Sequence, residues 1–209
     1  MRGSRFTLDG PIDEITEAVK AIDDAVDLAE VRGQEGRGAR AYFQILRRAI
    51  PEGWGFERRA RRPPPDPANA LLSLGYTLLT QNMIAAAEVV GLDPYDGLFH
   101  ADKHGRPALA LDLEEEFRSI IVDSVVLTLI NKELLTPDDF CPGPKGGVRL
   151  KREALKTFFR QYGKRIHTRV IHPGLDHRLT YQQCFEVQAR LLSKVIEGKK
   201  ETYAPFLTR

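Results

Sequence analysis

The chain lacks most of the residues that staple small folds. It holds two cysteines in 209 residues, Cys141 and Cys184, too far apart for a C-x-x-C pair. That spacing argues against a disulfide framework or a zinc knuckle and points to a reducing cytoplasm. No apolar run approaches the roughly 20 residues that a bilayer span requires, so no membrane partner is expected. No secretory signal is expected either, since Met-Arg-Gly-Ser at 1–4 reads as an expression leader. What is present is ordinary for a globular protein, 42% hydrophobic and 29% charged. The length suits one domain with a buried core, or a domain with a small annex.

A net charge of only +2 hides a local imbalance. Residues 37–62 carry eight arginines (37, 40, 47, 48, 58, 59, 61 and 62) against Glu52 and Glu57. Residues 145–169 carry nine Lys/Arg against Glu153 alone, while the compensating acids gather in 9–30 and 112–116. A single basic block usually coats a solvated face. Two arginine-heavy blocks favour a polyanion, and nucleic acid is the expected partner.

Apolar spacing predicts a mainly α fold. Ile12, Ile15, Val19, Ile22, Val26 and Ala29 recur at three and four across 11–32. A second helix is expected at 34–49, ended by Pro51 and Gly53. An extended loop follows at 51–68, with Trp54 and Phe56 as anchors and Pro63, Pro64, Pro65 and Pro67 stiffening it. Further helices are expected at about 68–90, 113–134, 151–168 and 180–197. The one expected strand pair lies at 97–111, around a His-Gly-Arg-Pro turn at 104–107. The division expected is a leader and first helix at 1–32, then one helical catalytic domain at 33–209.

Chemistry concentrates in Gly-Leu-Asp-Pro-Tyr-Asp-Gly-Leu-Phe-His at 91–100 and Leu-Ala-Leu-Asp-Leu-Glu-Glu-Glu-Phe-Arg at 109–118. Imidazole plus carboxylate is a divalent-metal ligand set, and Glu35 offers a third group. Each residue also has a structural account. Asp112-x-x-Glu115 fits a capping box, acids at 114–116 suit a positive helix end, and Glu35 fits the first turn of its helix. His100 fits equally a ligand and a backbone-bonded structural imidazole. A capping box uses one carboxylate, however, and four acids stand at 112, 114, 115 and 116. Neither Arg118 nor Lys103 is expected to balance them, which leaves room for a cation.

Gly-Gln-Glu-Gly-x-x-Ala-Arg-x-Tyr-Phe at 33–43 resembles a segment of the CRISPR-associated protein one family, the integrases of CRISPR adaptation. The likeness continues at 61–76 (Arg-Arg-Pro-Pro-Pro-Asp-Pro-Ala-Asn-Ala-Leu-Leu-Ser-Leu-Gly-Tyr), at 91–100 and 109–118, and at Leu-Thr-Pro-Asp-Asp-Phe, 135–140. It covers about 30–209 in collinear order. The resemblance implies a metal-dependent DNA endonuclease and integrase whose Mg²⁺ or Mn²⁺ is held by Glu35, His100 and Glu115, with Asp112 assisting. Many relatives have Met where Glu114 stands and Pro where Ser119 stands.

The implied reaction is phosphodiester hydrolysis by water, or transesterification by a spacer 3′-hydroxyl. The implied partners are protospacer and CRISPR-repeat DNA and CRISPR-associated protein two. Arg58, Arg59, Arg61 and Arg62 are expected to clamp phosphates, a weaker assignment because arginine faces are common. Asn69 and Tyr76 belong to a matched motif, though capping and core packing explain them as well. Relatives usually open on a β-rich domain that builds a homodimer. This chain opens on helices, so weak or absent self-association is expected. Two other readings stand beside the first. One is a DNA-binding domain, inactive without its dimerisation domain; the other is a small-molecule phosphohydrolase, which the basic blocks disfavour.

Overall fold

The computed structural model describes residues 8–100 and 105–207. Seven α-helices dominate them: α1 Asp9–Asp23, α2 Leu28–Ala49, α3 Pro67–Val90, α4 Ala108–Glu115, α5 Ser124–Asn131, α6 Arg152–Ile166 and α7 Tyr181–Ile196. Two short antiparallel hairpins complete the fold, β1 Phe140–Pro142 with β2 Val148–Leu150, and β3 Arg169–Ile171 with β4 Arg178–Thr180.

Helix α3 is the axis. Asp66 caps it by accepting the Asn69 N–H at 2.8 Å, Pro67 opens it, and Gly91 closes it at φ +87°. By length and composition α3 could cross a membrane, which corrects the expectation that no run is long enough; half of that stretch is buried inside the protein. Leu71, Leu72, Leu79 and Met83 are fully buried, and α3 packs against α4, α5 and α7. Burying each such side chain stabilises the fold by about 2 kcal/mol. Gly75 lets α3 approach the next helical segment closely, because a Cβ there would meet Val122 Cγ1 at 2.5 Å and force that side chain to shift. Across the core Phe117 meets Phe185 edge-on, centroids 4.8 Å apart.

Three boundaries differ from expectation. The first helix stops at Asp23 rather than running to 32, and α2 begins at Leu28. Asp27 accepts the Glu30 N–H at 2.8 Å, and the Glu30 carboxylate accepts the Val26 N–H at 3.0 Å. This reciprocal cap starts α2 early and carries it through three glycines at 33, 36 and 38. Glu35 is therefore well inside the helix, not in its first turn. The helix expected at 113–134 is α4, a π-helical segment at Arg118–Asp123, and α5 in succession. No strand forms among the described residues of 97–111; 97–100 is loop and α4 begins at Ala108. Residues 101–104, part of that expected pair, lie outside the described residues, as does the leader at 1–4.

Candidate functional site

The site is built where the 91–100 loop lies on α4. The Asp112 carboxylate, one turn before the end of α4, accepts four hydrogen bonds from that loop. Oδ2 takes the Leu98 and Phe99 N–H groups at 2.7 and 2.9 Å; Oδ1 takes the His100 N–H at 2.9 Å and contacts His100 Nδ1 at 2.6 Å. An ionised carboxylate only accepts, so Nδ1 carries a proton, and in the neutral imidazole the lone pair is then on Nε2. The pair is largely covered, the His100 side chain 20% and the Asp112 side chain 12% exposed. Gly97 makes the fit possible, since a Cβ there would meet the Ala108 Cβ at 2.4 Å.

This overturns the capping-box account. Asp112 and Glu115 lie in the last turn of α4, far from its start, so the acids do not gain from the positive helix end. Asp112 caps a loop instead of its own helix.

The acid surplus is also resolved within the protein. Glu114 is buried, accepts from Thr80 Oγ1 and lies 3.8 Å from Arg118 Nε. Burial pushes its carboxyl up to about 7, outweighing the Thr80 hydrogen bond and the Arg118 charge. Glu115 pairs with the Arg118 guanidinium. Glu116 accepts from Gln188 Nε2 at 2.7 Å, the Phe206 N–H at 2.6 Å and the Tyr203 hydroxyl, tying the chain after α7 to α4. The expectation that Arg118 could not balance these acids is corrected; Lys103 lies outside the described residues. Partners inside the fold thus account for all four acids.

Glu35 is exposed on α2. Three residues earlier on the same helix, Arg32 donates through Nε to the Phe99 carbonyl at 2.9 Å. Residues three apart share a helix face. Glu35 is therefore one turn from a side chain on the His100 loop, and Glu115 one turn from Asp112, which holds that loop from the other side. Among the described residues, however, no group of three or more His, Cys, Asp or Glu is gathered closely enough to hold a metal ion.

Arg118, the partner of Glu115, also reaches a polar network. The Tyr42 and Tyr76 hydroxyls each donate to the buried Asp123 at 2.6 Å. Burial and the Asp123 charge hold both phenols far above their ordinary range, and burial raises the Asp123 carboxyl. Arg118 and Arg59 lie over the Tyr76 ring at 4.6 and 5.3 Å. Asp123 and Arg32 were not singled out from the sequence, and no local pattern marks partners 81 and 67 residues away. The Asp27-x-x-Glu30 cap, in contrast, was there to be read.

The arginine block divides. Arg58, Arg61 and Arg62 are exposed. Arg59 turns inward and donates to the Ala60 carbonyl at 2.7 Å, Asn69 Oδ1 at 2.9 Å and Ser73 Oγ at 3.1 Å. Burial, helped by the charges of Arg61 and Arg118, lowers it to about 10. An open groove of about 1240 Å³ runs between α2 and the following loop, lined by Arg40, Arg47, Arg48, Arg58 and Arg59 with Phe43 and Phe56.

Fold and site together define a helical domain with a histidine–carboxylate centre and a separate arginine-lined groove. The model of the family CRISPR associated protein Cas1 matches residues 2–164. The chain is 45% identical over 197 residues to the CRISPR-associated endonuclease Cas1 3 of Thermus thermophilus, covering 94% of this chain and 59% of that protein. It is 42% identical to the CRISPR-associated endonuclease Cas1 1 of Moorella thermoacetica, covering 94% and 58%. The chain belongs to the Cas1 family. Among solved structures, a casposase bound to integration product superposes with TM-score 0.84 at 27% identity, over 96% of this chain and 58% of that one. A Cas6-RT-Cas1–Cas2 complex superposes with TM-score 0.84 at 27% identity, over 96% and 22%. The chain spans somewhat under three fifths of the length of the curated relatives named here.

Proposed function

We propose that the chain is a DNA-cleaving and DNA-joining catalytic domain of CRISPR adaptation. Water as nucleophile gives phosphodiester hydrolysis, and a spacer 3′-hydroxyl gives transesterification into the repeat. The observation that carries this reading is the fixing of His100 by Asp112. A carboxylate on Nδ1 sets the tautomer and aims the ring, the usual support for an imidazole that binds metal through Nε2. Glu35, His100 and Glu115 would hold the ion. Two carboxylates and an imidazole suit Mg²⁺ or Mn²⁺. When bound, such a cation lowers the pKa of an attacking hydroxyl and offsets negative charge on the phosphate oxygens. Glu115 would give up its pairing with Arg118 to take part.

The protein's own contributions are positional. Asp112 holds the imidazole, and the arginine groove would bind backbone phosphates without reading bases. Protospacer and repeat DNA and CRISPR-associated protein two are the proposed partners, supported by a relative solved with an integration product and another solved with Cas2.

A second reading, a DNA-binding domain without catalysis, is favoured by the Glu115–Arg118 pairing and by the lack of a gathered three-residue metal group among the described residues. Nicking and strand joining on branched DNA in Mn²⁺ separate the two. Metal-dependent activity in the wild type, lost in Glu35→Ala, His100→Ala and Glu115→Ala with DNA affinity retained, supports catalysis. Binding with no metal-dependent product supports the second reading.

A further inference from the structure

The peptide between Phe99 and His100 is gripped from two sides. Its amide N–H donates to Asp112 on α4 at 2.9 Å, and its carbonyl accepts from Arg32 on α2. Arg32 donates through both Nε, at 2.9 Å, and Nη2, two prongs of the guanidinium on one oxygen. The same guanidinium lies 5.6 Å from the centroid of the Phe99 ring. That ring meets the His100 imidazole edge-on, centroids 5.6 Å apart and planes at 83°. One half-buried cation thus touches the carbonyl and the ring of the residue that precedes and packs against the imidazole.

Helical phase gives this grip its meaning. Arg32 and Glu35 are one turn apart on α2, as Asp112 and Glu115 are on α4. Each helix binds the 98–100 loop with one residue and carries a candidate ligand on its next turn.

We propose that Arg32 is a positioning residue: it locks the His100 loop onto α2 and so fixes the spacing between the imidazole and Glu35. Without it, Asp112 still ties His100 to α4 and hence to Glu115, but the forked hydrogen bond from α2 to the Phe99 carbonyl is lost. Lysine would be a poor replacement, because one ammonium neither forks onto a carbonyl nor covers an aromatic face in the same way. The proposal rests on the metal reading above for its consequence, but not for its geometry.

The test uses the full chain and two readouts, neither of them activity. The first is Mn²⁺ affinity by electron paramagnetic resonance for the wild type, Arg32→Lys, Arg32→Ala and His100→Ala. Loss of a supporting partner typically weakens metal binding by about 10-fold or more. That loss is expected for Arg32→Ala, a smaller one for Arg32→Lys, and loss of the site for His100→Ala. The second is amide hydrogen exchange of Leu98, Phe99 and His100 in metal-free protein. It should quicken at least about tenfold in Arg32→Ala while core amides of α3 keep their protection. Wild-type exchange in this loop, or unchanged Mn²⁺ affinity beside a His100→Ala loss, would overturn the proposal. Wild-type protein whose Mn²⁺ affinity is insensitive to His100→Ala would instead sink the metal reading, and the exchange result would still decide the role of Arg32.

Discussion

Residues 58–60 and 98–100 are both irregular segments whose backbone is clamped by a polar side chain of a neighbouring helix, and the two clamps differ in chemistry. Asn69 on α3 holds the first: Nδ2 donates to the Arg58 carbonyl at 2.8 Å and to Asp66, and Oδ1 accepts the Ala60 N–H at 2.9 Å and the Arg59 guanidinium. Asp112 on α4 holds the second and only accepts. The amide consumes the functional group near it, since Arg59 is drawn inward. The carboxylate takes one ring nitrogen and leaves the other to act. A neutral clamp makes structure; a charged clamp beside an imidazole makes structure and a poised side chain.

The largest expected effect comes from breaking the charged clamp. Asp112→Ala strands three backbone N–H groups and frees the imidazole. It should cost about 4 kcal/mol, measured by urea unfolding, and abolish metal-dependent nicking. Asp112→Asn keeps the shape but cannot accept from all four donors, so its loss should be smaller in stability and nearly as large in nicking. If nicking survived in Asp112→Asn at wild-type rates, orientation of His100 by charge would be ruled out.

A second buried carboxylate on α4 sharpens the contrast. Glu114 has a hydroxyl and a distant guanidinium where Asp112 has four N–H partners, and burial pushes it to about 7. The folded state therefore binds a proton more tightly than the unfolded state, where the value is near 4.5. Stability from this group is fully present below pH 4.5 and is lost as pH rises to about 7 and beyond, a change of about 3 kcal/mol at most. Burial also raises Asp66, Glu116 and Asp123, so the informative quantity is the difference between the wild type and Glu114→Gln. That difference should grow between pH 4.5 and 7 in favour of the variant. A pH-independent difference would mean that Glu114 is ionised throughout.

Breaking the neutral clamp should cost less. Asn69→Ala leaves the Arg58 carbonyl and the Ala60 N–H without their partner and should destabilise by about 2 kcal/mol in the same unfolding assay. Nicking should change little unless the arginine segment itself positions DNA.

How much of this was legible follows from the reach of each signal. Helices α3, α6 and α7 fell within two residues of their expected ends, because their apolar periods and the caps Asp66 and Thr180 are local. The expected break between helices at 32 and 34 falls inside α2, whose tertiary contacts, Arg37 with Glu17 and Tyr42 with Asp123, hold it continuous through the glycines at 33, 36 and 38. The hairpins were missed because three-residue strands carry too little alternation; β1–β2 encloses Gly143, Gly146 and Gly147, and β3–β4 the Pro173-Gly174 turn. At the site, residue types and motifs marked His100 and Asp112 as important, and the motif likeness gave the family. The hydrogen bonds joining Asp112 to residues 98–100, and Arg32 to Phe99, depend on how loop and helices meet, which spacing in one chain does not encode.

The smallest expected effect tests whether the neutral clamp removes an arginine from function. Each phosphate contact contributes about one unit to the log–log slope of DNA affinity against salt. Arg58, Arg61 and Arg62 are exposed, so Gln at any one that touches a phosphate should lower the slope by about one and weaken binding to all sequences alike. Arg59 already serves Ala60, Asn69 and Ser73 and lies over Tyr76. Arg59→Gln should leave the slope nearly unchanged and show itself in thermal unfolding instead. A slope falling as far for Arg59→Gln as for Arg58→Gln would mean that DNA pulls this guanidinium out of its internal bonds. The distinction between the two clamps would then hold only for the free protein.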